Sequence, residues 1–225
     1  MYLEIEETHI EVVRGRDTVQ RILFLAALIS TVFGILYFLG LAGKLIVDGS
    51  IHSASSPSIQ VVSAAIGLMW DFTLLVLFVA LRRQASESKA VYADLGLVFM
   101  ALLCATSSIN WFVQLTLVPR IAQSGDPAFL ALIDIHNETS IMYAIEHLAW
   151  GLFYGLATIF MAATIEGGKA GTWVRWLLVV GGALSILHVF GIMAANSLMI
   201  DSGYFAAGVL LPLTTALLAV RYRTN

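Results

Sequence analysis

Four ionisable side chains stand inside long apolar stretches of this sequence, where a charge is expensive and is by default a functional hypothesis. They are Asp71, Glu146, His147 and His188. A carboxylate beside an imidazole at membrane depth can relay protons or bind a small solute. The same residue types also build catalytic metal sites, and two histidines can hold a haem.

Polar and aromatic residues recur near these four at helical spacing. Asn110 and Gln114 lie four residues apart and share one face of a helix. Tyr143, His147 and Trp150 share a face in the same way. We infer a polar cavity near the midplane of a helix bundle, whose candidate ligand-binding residues are Asp71, Asn110, Gln114, Tyr143, Glu146, His147, Trp150 and His188.

Three classes of function are compatible with this cavity. The favoured one is the binding or transport of a small or lipid-like ligand. The first alternative is an intramembrane enzyme, in which His147 and His188 bind zinc with Asp71 or Glu146, or bind a haem walled by tryptophans. No H-x-x-x-H or H-E-x-x-H spacing supports the metal. The second alternative is a purely structural or interaction protein, whose amides and ionisable groups pair between helices as packing contacts.

The composition places the chain in a membrane. Its 225 residues are 59% hydrophobic and 12% charged, whereas a soluble domain is about 45–50% apolar and about 25% charged. So little charge cannot cover a globule of this size, so lipid must solvate much of the surface. The net charge of −3 argues against nucleic acid as a partner, and the single Cys104 excludes an intrachain disulfide.

Six apolar stretches are long enough to cross the hydrocarbon core, which takes about 20 helical residues. They predict an all-α, multi-pass bundle with spans near 20–47, 60–81, 90–117, 138–165, 172–197 and 203–221. The acidic segment 1–19 is expected to be a short cytoplasmic extension rather than a secretory signal, and 222–225 a tail. Pro119 is expected to stop the third span, Asn137 to cap the fourth and Pro212 to kink the sixth.

The basic residues predict the orientation. If the spans alternate, Lys44 and Arg120 fall on one side and ten basic residues on the other. The positive-inside rule makes the richer side cytoplasmic, together with both termini. A rise of about 1.5 Å per residue then puts most of the polar candidates between the outer third and the midplane, so any opening faces outward. The ten residues are Arg14, Arg16, Arg21, Arg82, Arg83, Lys89, Lys169, Arg175, Arg221 and Arg223.

Two stretches carry a resemblance to known sequences. SSINWFVQLTLVPR (107–120) and EHLAWGLFYGLATIFMA (146–162) resemble segments of small bacterial membrane proteins that have no established activity. The resemblance implies a bacterial inner-membrane protein and assigns no functional residue. Six short spans are small for a secondary transporter, so a homo-oligomer is an open alternative for that role.

Overall fold

The computed structural model describes the backbone of residues 2–48 and 57–223. Side chains are described from Asp17 onward, except at 41, 44, 45 and 47–59. Within these ranges every regular element is a helix, as the apolar spans predict, and short turns connect the helices.

The described part of the chain forms ten α-helices and two π-helical segments. The π-helical segments are Leu148–Phe153 and Ala206–Leu210, and a short 3₁₀ turn covers Glu87–Lys89. The α-helices are α1 (Tyr2–Asp48), α2 (Pro57–Gln84), α3 (Ala90–Thr116), α4 (Val118–Ser124), α5 (Pro127–Ile133), α6 (Ile141–His147), α7 (Tyr154–Ala162), α8 (Gly168–Ala194), α9 (Ser197–Phe205) and α10 (Leu211–Arg221).

The described residues contain six segments that are long and apolar enough to cross a membrane, as predicted. Their outward surfaces are rich in large apolar side chains such as Leu39, Met193 and Val220, which are 58%, 78% and 73% exposed. Such surfaces suit lipid rather than water, and the six spans support a multi-pass membrane protein. The spans are Asp17–Gly40, Gln60–Gln84, Glu87–Ser124, Ile141–Ala162, Gly168–Ala194 and Ser197–Arg221.

The six spans close into a ring. Helix α1 packs against α2, α2 against α3, α3 against α7, α7 against α8, and α8 against α9 and α10, while α10 returns to α1. Helices α7 and α8 meet closely, because a Cβ on Gly155 would lie 2.8 Å from the carbonyl oxygen of Gly182. This close approach of two glycines sets the distance between the spans that carry His147 and His188.

Polar contacts join the connecting turns at the end of the bundle where the chain begins and ends, which we call the termini end. Arg82 pairs with Asp94, and the Lys89 ammonium lies 2.7 Å from a carboxylate oxygen of Glu166. This ion pair lowers the pKa of the Glu166 carboxyl below its usual value. The Arg221 guanidinium donates to the Glu166 carbonyl oxygen, which ties the sixth span to the turn after the fourth. The opposite end, toward residues 40–60 and 117–140, is called the far end below.

The fourth and sixth spans start later and earlier, respectively, than the residues near which they were predicted to start, because the capping residues lie elsewhere. The sixth span begins at Ser197 rather than at 203, since the Asn196 side chain accepts the Met199 N–H at 3.1 Å. The fourth begins at Ile141, and its cap is Ser140, whose hydroxyl oxygen accepts a backbone N–H at 2.9 Å. Asn137 instead accepts a backbone N–H two residues ahead, within a turn.

Three further predictions met a different local structure. Helix α1 runs unbroken from Tyr2, so no turn separates the extension 1–19 from the first span. Pro119 does not end the third span sharply, because α4 resumes at once with this proline in its first turn, where no N–H is needed. Pro212 is the second residue after the π-helical segment Ala206–Leu210, so the sixth span is irregular just before the predicted kink.

Candidate functional site

A cavity of about 230 Å³ lies inside the ring of spans toward the far end. All six spans contribute to its wall, from Leu36 on the first to Ala207 on the sixth. The turn before the fourth span adds His136 and Glu138. A water molecule takes about 30 Å³ in the liquid, so the space matches a small organic molecule or several waters rather than a lipid.

Aromatic rings form much of the cavity wall. They come from five spans and comprise Tyr37, Trp70, Trp111, Tyr143, Trp150 and Tyr204. The Trp70 ring lies 5.7 Å from that of Tyr37 and 5.4 Å from that of Trp150, with interplanar angles of 49° and 45°. Rings tilted in this way make a concave wall rather than a flat stack.

A glycine sets the position of one ring in this wall. A Cβ on Gly67 would lie 2.5 Å from Cε2 of Trp111, so the indole rests directly on the backbone of the second span. The indole N–H groups of Trp70 and Trp111 are buried and have no acceptor among the described residues. Buried donors without a partner are rare in proteins, and a bound water or ligand is one accepted cause.

Glu146 carries a carboxylate to the cavity wall and is held there from the third span. The Asn110 amide donates to Oε2 of Glu146 at 2.8 Å and to the Met142 carbonyl oxygen at 3.2 Å. The Ser107 side chain lies near the same carboxylate and accepts the Trp150 indole N–H at 3.2 Å. The predicted polar face of the third span is thus the support for this carboxylate.

Asp71 lies behind this carboxylate and not on the cavity wall. Its side chain is fully buried, and neither oxygen makes a well-formed hydrogen bond with the described residues. Ser107 and Glu146 are its nearest polar neighbours, and Cys104 donates to its backbone carbonyl. The sequence places Asp71 and Glu146 in one layer, but the structure gives them different environments.

The two span histidines bond directly to each other. Nε2 of His188 lies 2.6 Å from Nδ1 of His147, and Nδ1 of His188 lies 2.5 Å from the Ile200 carbonyl oxygen. Because a carbonyl only accepts, Nδ1 of His188 carries the hydrogen. In the neutral pair, His147 then donates through Nδ1 and keeps Nε2 as an acceptor nitrogen. Both rings border the cavity.

The predicted metal and haem sites involve the histidines and carboxyl groups of the described residues. Among the residues whose side chains are described, no three histidine, cysteine, aspartate or glutamate side chains come close enough to hold a metal ion. Nε2 of His188 and Nδ1 of His147 lie only 2.6 Å apart, which leaves no room for an iron between those two nitrogens. The zinc set of His147 and His188 with Asp71 or Glu146 stays a prediction, of which the structure brings His147, His188 and Glu146 to one cavity wall and leaves Asp71 outside it.

Gln114 hydrogen-bonds to the backbone of the turn before the fourth span, which borders the cavity at the far end. Its amide donates to the Ile133 carbonyl oxygen at 2.7 Å, and its carbonyl accepts the Ile135 N–H at 3.4 Å. The turn it holds supplies His136 and Glu138 to the cavity wall. His136 lies outside the predicted spans and is half-buried at this wall.

Two spans lose regular α-helical hydrogen bonding beside the cavity. The π-helical segment Leu148–Phe153 begins directly after His147, and Ala206–Leu210 contributes Ala207 to the wall. Single π-helical turns are rare and occur frequently at functional sites. They also make a helix locally easier to bend.

The structure gathers most of the predicted candidates and adds others. Gln114, Tyr143, Glu146, His147, Trp150 and His188 border the cavity, and Asn110 contacts Glu146. Sequence reasoning missed Tyr37, Tyr204 and Glu138. The two tyrosines sit in or beside apolar runs of spans with no charge to mark them. The remaining extramembrane histidines, His9 and His52, lie outside the residues whose side chains are described.

A second cavity, of about 250 Å³, lies at the termini end between the turns that follow the second and fourth spans. Its wall includes Gln84, Thr164 and Arg221, and the last of these is engaged with the Glu166 carbonyl. We interpret this second cavity as a gap between turns that are joined by the contacts of Glu166, and not as a candidate site.

Comparison with known families, curated proteins and solved structures gives no significant match to this chain.

Proposed function

We propose that this protein binds a small solute in the aromatic cavity, as the recognition step of a membrane transporter or sensor. The cavity itself is the observation that carries the proposal. It combines a mostly apolar, aromatic wall with a few convergent polar groups, which is the usual make-up of a small-molecule site. Glu146, His147 and Gln114 supply the polar groups.

The proposed location is the cytoplasmic membrane of a bacterium, with both termini in the cytoplasm. The alternation of spans puts Arg82, Lys89 and Arg221 at the termini end, in support of this orientation by the positive-inside rule. The cavity then opens away from the cytoplasm. A solute would be taken from the outer side.

A matched pair of glycines tests whether the cavity binds anything. Gly40 borders the cavity and Gly43 does not, and neither would bring a Cβ within 4 Å of a described heavy atom. Both sites therefore tolerate a large side chain, but only Gly40→Trp narrows the cavity. We expect a solute found by its stabilising effect on the wild-type protein to lose that effect in Gly40→Trp and keep it in Gly43→Trp.

The thermal unfolding of purified protein in detergent is the measurement. A ligand at 100 times its Kd raises the free energy of unfolding by about 2.7 kcal/mol, which is readily seen. If no compound in a chemically broad panel stabilises the wild type, or if Gly40→Trp responds as Gly43→Trp does, the cavity is not a binding site. A structural role would then be the better description.

A proton-linked transport step is a second candidate, favoured by the direct His147–His188 hydrogen bond. Two imidazoles in contact can pass a proton along their shared bond, and Glu146 borders the same cavity. Reconstituted in vesicles, the wild type is expected to move protons with the solute, and His188→Gln to bind the solute without moving them. Equal proton flux in both would remove the histidine pair from the mechanism.

A further inference from the structure

The cavity wall carries two carboxyl groups, which are negative when ionised. Glu138 and Glu146 border it, and among the described lining residues there is no lysine or arginine. A buried carboxylate attracts a cation strongly where water is excluded. An anionic solute would meet repulsion from the same groups.

The hydrogen-bonding groups near the carboxylate also favour a positive ligand. Asn110 and Ser107 hold Glu146 in place, and the Asn110 amide is already engaged with Oε2. The neutral histidine pair uses the Nδ1 hydrogen of His188 on Ile200 and that of His147 on His188. Both Nδ1 hydrogens are thus used within the protein, and the neutral pair adds no positive charge to the wall.

The aromatic rings supply the rest of a cation site. Ring faces carry negative electrostatic potential, and a cation within about 6 Å of a ring centroid is attracted to it, most strongly by tryptophan. Trp70 and Trp150 stand 5.4 Å apart at 45°, and Trp111 and Tyr37 border the same space. Cages of this kind are the general protein solution for alkylammonium groups.

We propose that the ligand is a small organic cation, an alkylammonium or amino alcohol, with its charge on Glu146 and its alkyl groups against the tryptophans. This rests on the proposed function and adds the chemical class of the solute. The volume of about 230 Å³ suits a cation of roughly choline size and excludes a two-chain lipid.

The experiment compares a cation with an uncharged molecule of the same shape. Choline and 3,3-dimethylbutan-1-ol differ by the exchange of N⁺ for carbon, and butylammonium with butan-1-ol forms a second pair. Binding to the full-length protein is measured by titration calorimetry in nanodiscs. We expect each cation to bind at least tenfold more tightly than its neutral partner, which equals about 1.4 kcal/mol.

Four variants locate the source of the preference. In Glu146→Gln the ratio of the affinity for the cation to that for its neutral partner should fall at least tenfold, while the neutral compound binds as before. Asp94→Asn, at the termini end, should leave this ratio unchanged. Trp111→Leu should weaken the cation roughly tenfold, whereas Trp176→Leu, on the outward surface at 57% exposure, should not. Unfolding temperatures of all four report whether they are folded.

The outcomes separate the class of ligand from the existence of a site. If the neutral compounds bind as tightly as the cations, or if Glu146→Gln keeps the preference, the cation is refuted while the cavity remains a binding site. The cation proposal is also refuted, and the cavity remains a binding site, if the cations fail to bind and an uncharged or anionic solute stabilises the protein in the Gly40 and Gly43 test. If nothing binds in either test, both proposals fall.

Discussion

Gly203→Ala tests the histidine pair through a single methyl group. Gly203 lies on α9 against the imidazole of His188, and an alanine Cβ there would stand 2.5 Å from Cγ and 2.6 Å from Nδ1 of that ring. It would also stand 2.8 Å from the His188 Cβ, which is fixed to the backbone. The ring must therefore turn away, and its bonds to His147 and Ile200 break together.

The expected change in the free energy of unfolding combines two destabilising effects and one stabilising effect. Overpacking costs about 1–3 kcal/mol. The buried hydrogen-bonding groups left unpaired cost about 1–3 kcal/mol, while replacing a helical glycine by alanine contributes up to about 1 kcal/mol in favour of folding. We expect a net loss of roughly 1–5 kcal/mol in the free energy of unfolding.

Gly181→Ala is the matched control. Gly181 lies within α8, and its new Cβ would be 3.8 Å from the nearest heavy atom, on Leu210, which is an ordinary contact. This variant should gain up to about 1 kcal/mol from helix propensity. The two alanines are thus expected to act with opposite sign.

Thermal and SDS-induced unfolding in detergent give the stabilities, and ¹⁵N spectra of the histidine side chains report the hydrogen bond between the rings. A Gly203→Ala protein as stable as Gly181→Ala, with unchanged imidazole signals, would show that His188 does not occupy the position described here.

Three further changes probe the wall and its supports. Gly67→Ala should displace the Trp111 indole and alter its fluorescence, because the new Cβ meets the ring at 2.5 Å; an unchanged spectrum with unchanged stability would contradict that packing. Gln114→Leu should cost about 1–3 kcal/mol by leaving the Ile133 carbonyl unpaired, and it should speed proteolysis within the far-end turn. Cleavage at the wild-type rate would mean that the amide does not hold the turn. Asp71→Asn should not lower the unfolding temperature, since neither carboxylate oxygen has a well-formed partner to lose among the described residues; a marked drop would reveal a bound partner.

The class of the protein could be predicted from sequence because it depends on averages. Apolar runs of about 20 residues determine spanning helices whatever their neighbours are. The depth of a polar residue follows from its count along the run at about 1.5 Å per residue. In this way the sequence predicts one layer for Glu146, His147 and His188, and in the structure all three border the same cavity.

Helix boundaries were predicted less well, since they depend on which of several capable residues forms the cap. Asn137 and Ser140 are both good N-caps by type, and only the path of the chain selects Ser140. The residues after Asn196 are partly polar and therefore predict a loop, although Asn196 caps a helix there. The missing N–H of Pro119 predicts a stop only where a helix continues through the proline. In the structure Pro119 lies in the first turn of α4, where no N–H is needed.

Only the tertiary structure determines the direction in which each polar side chain points from its helix. Sequence spacing gives the face of a helix, but the rotation of that helix against its neighbours is set by close contacts such as Gly155 on Gly182. That rotation turns His147 and His188 toward each other, and it leaves Asp71 outside the wall while Glu146 borders it. The aromatic cavity arises in the same way, because rings from five separate spans meet only when the bundle closes.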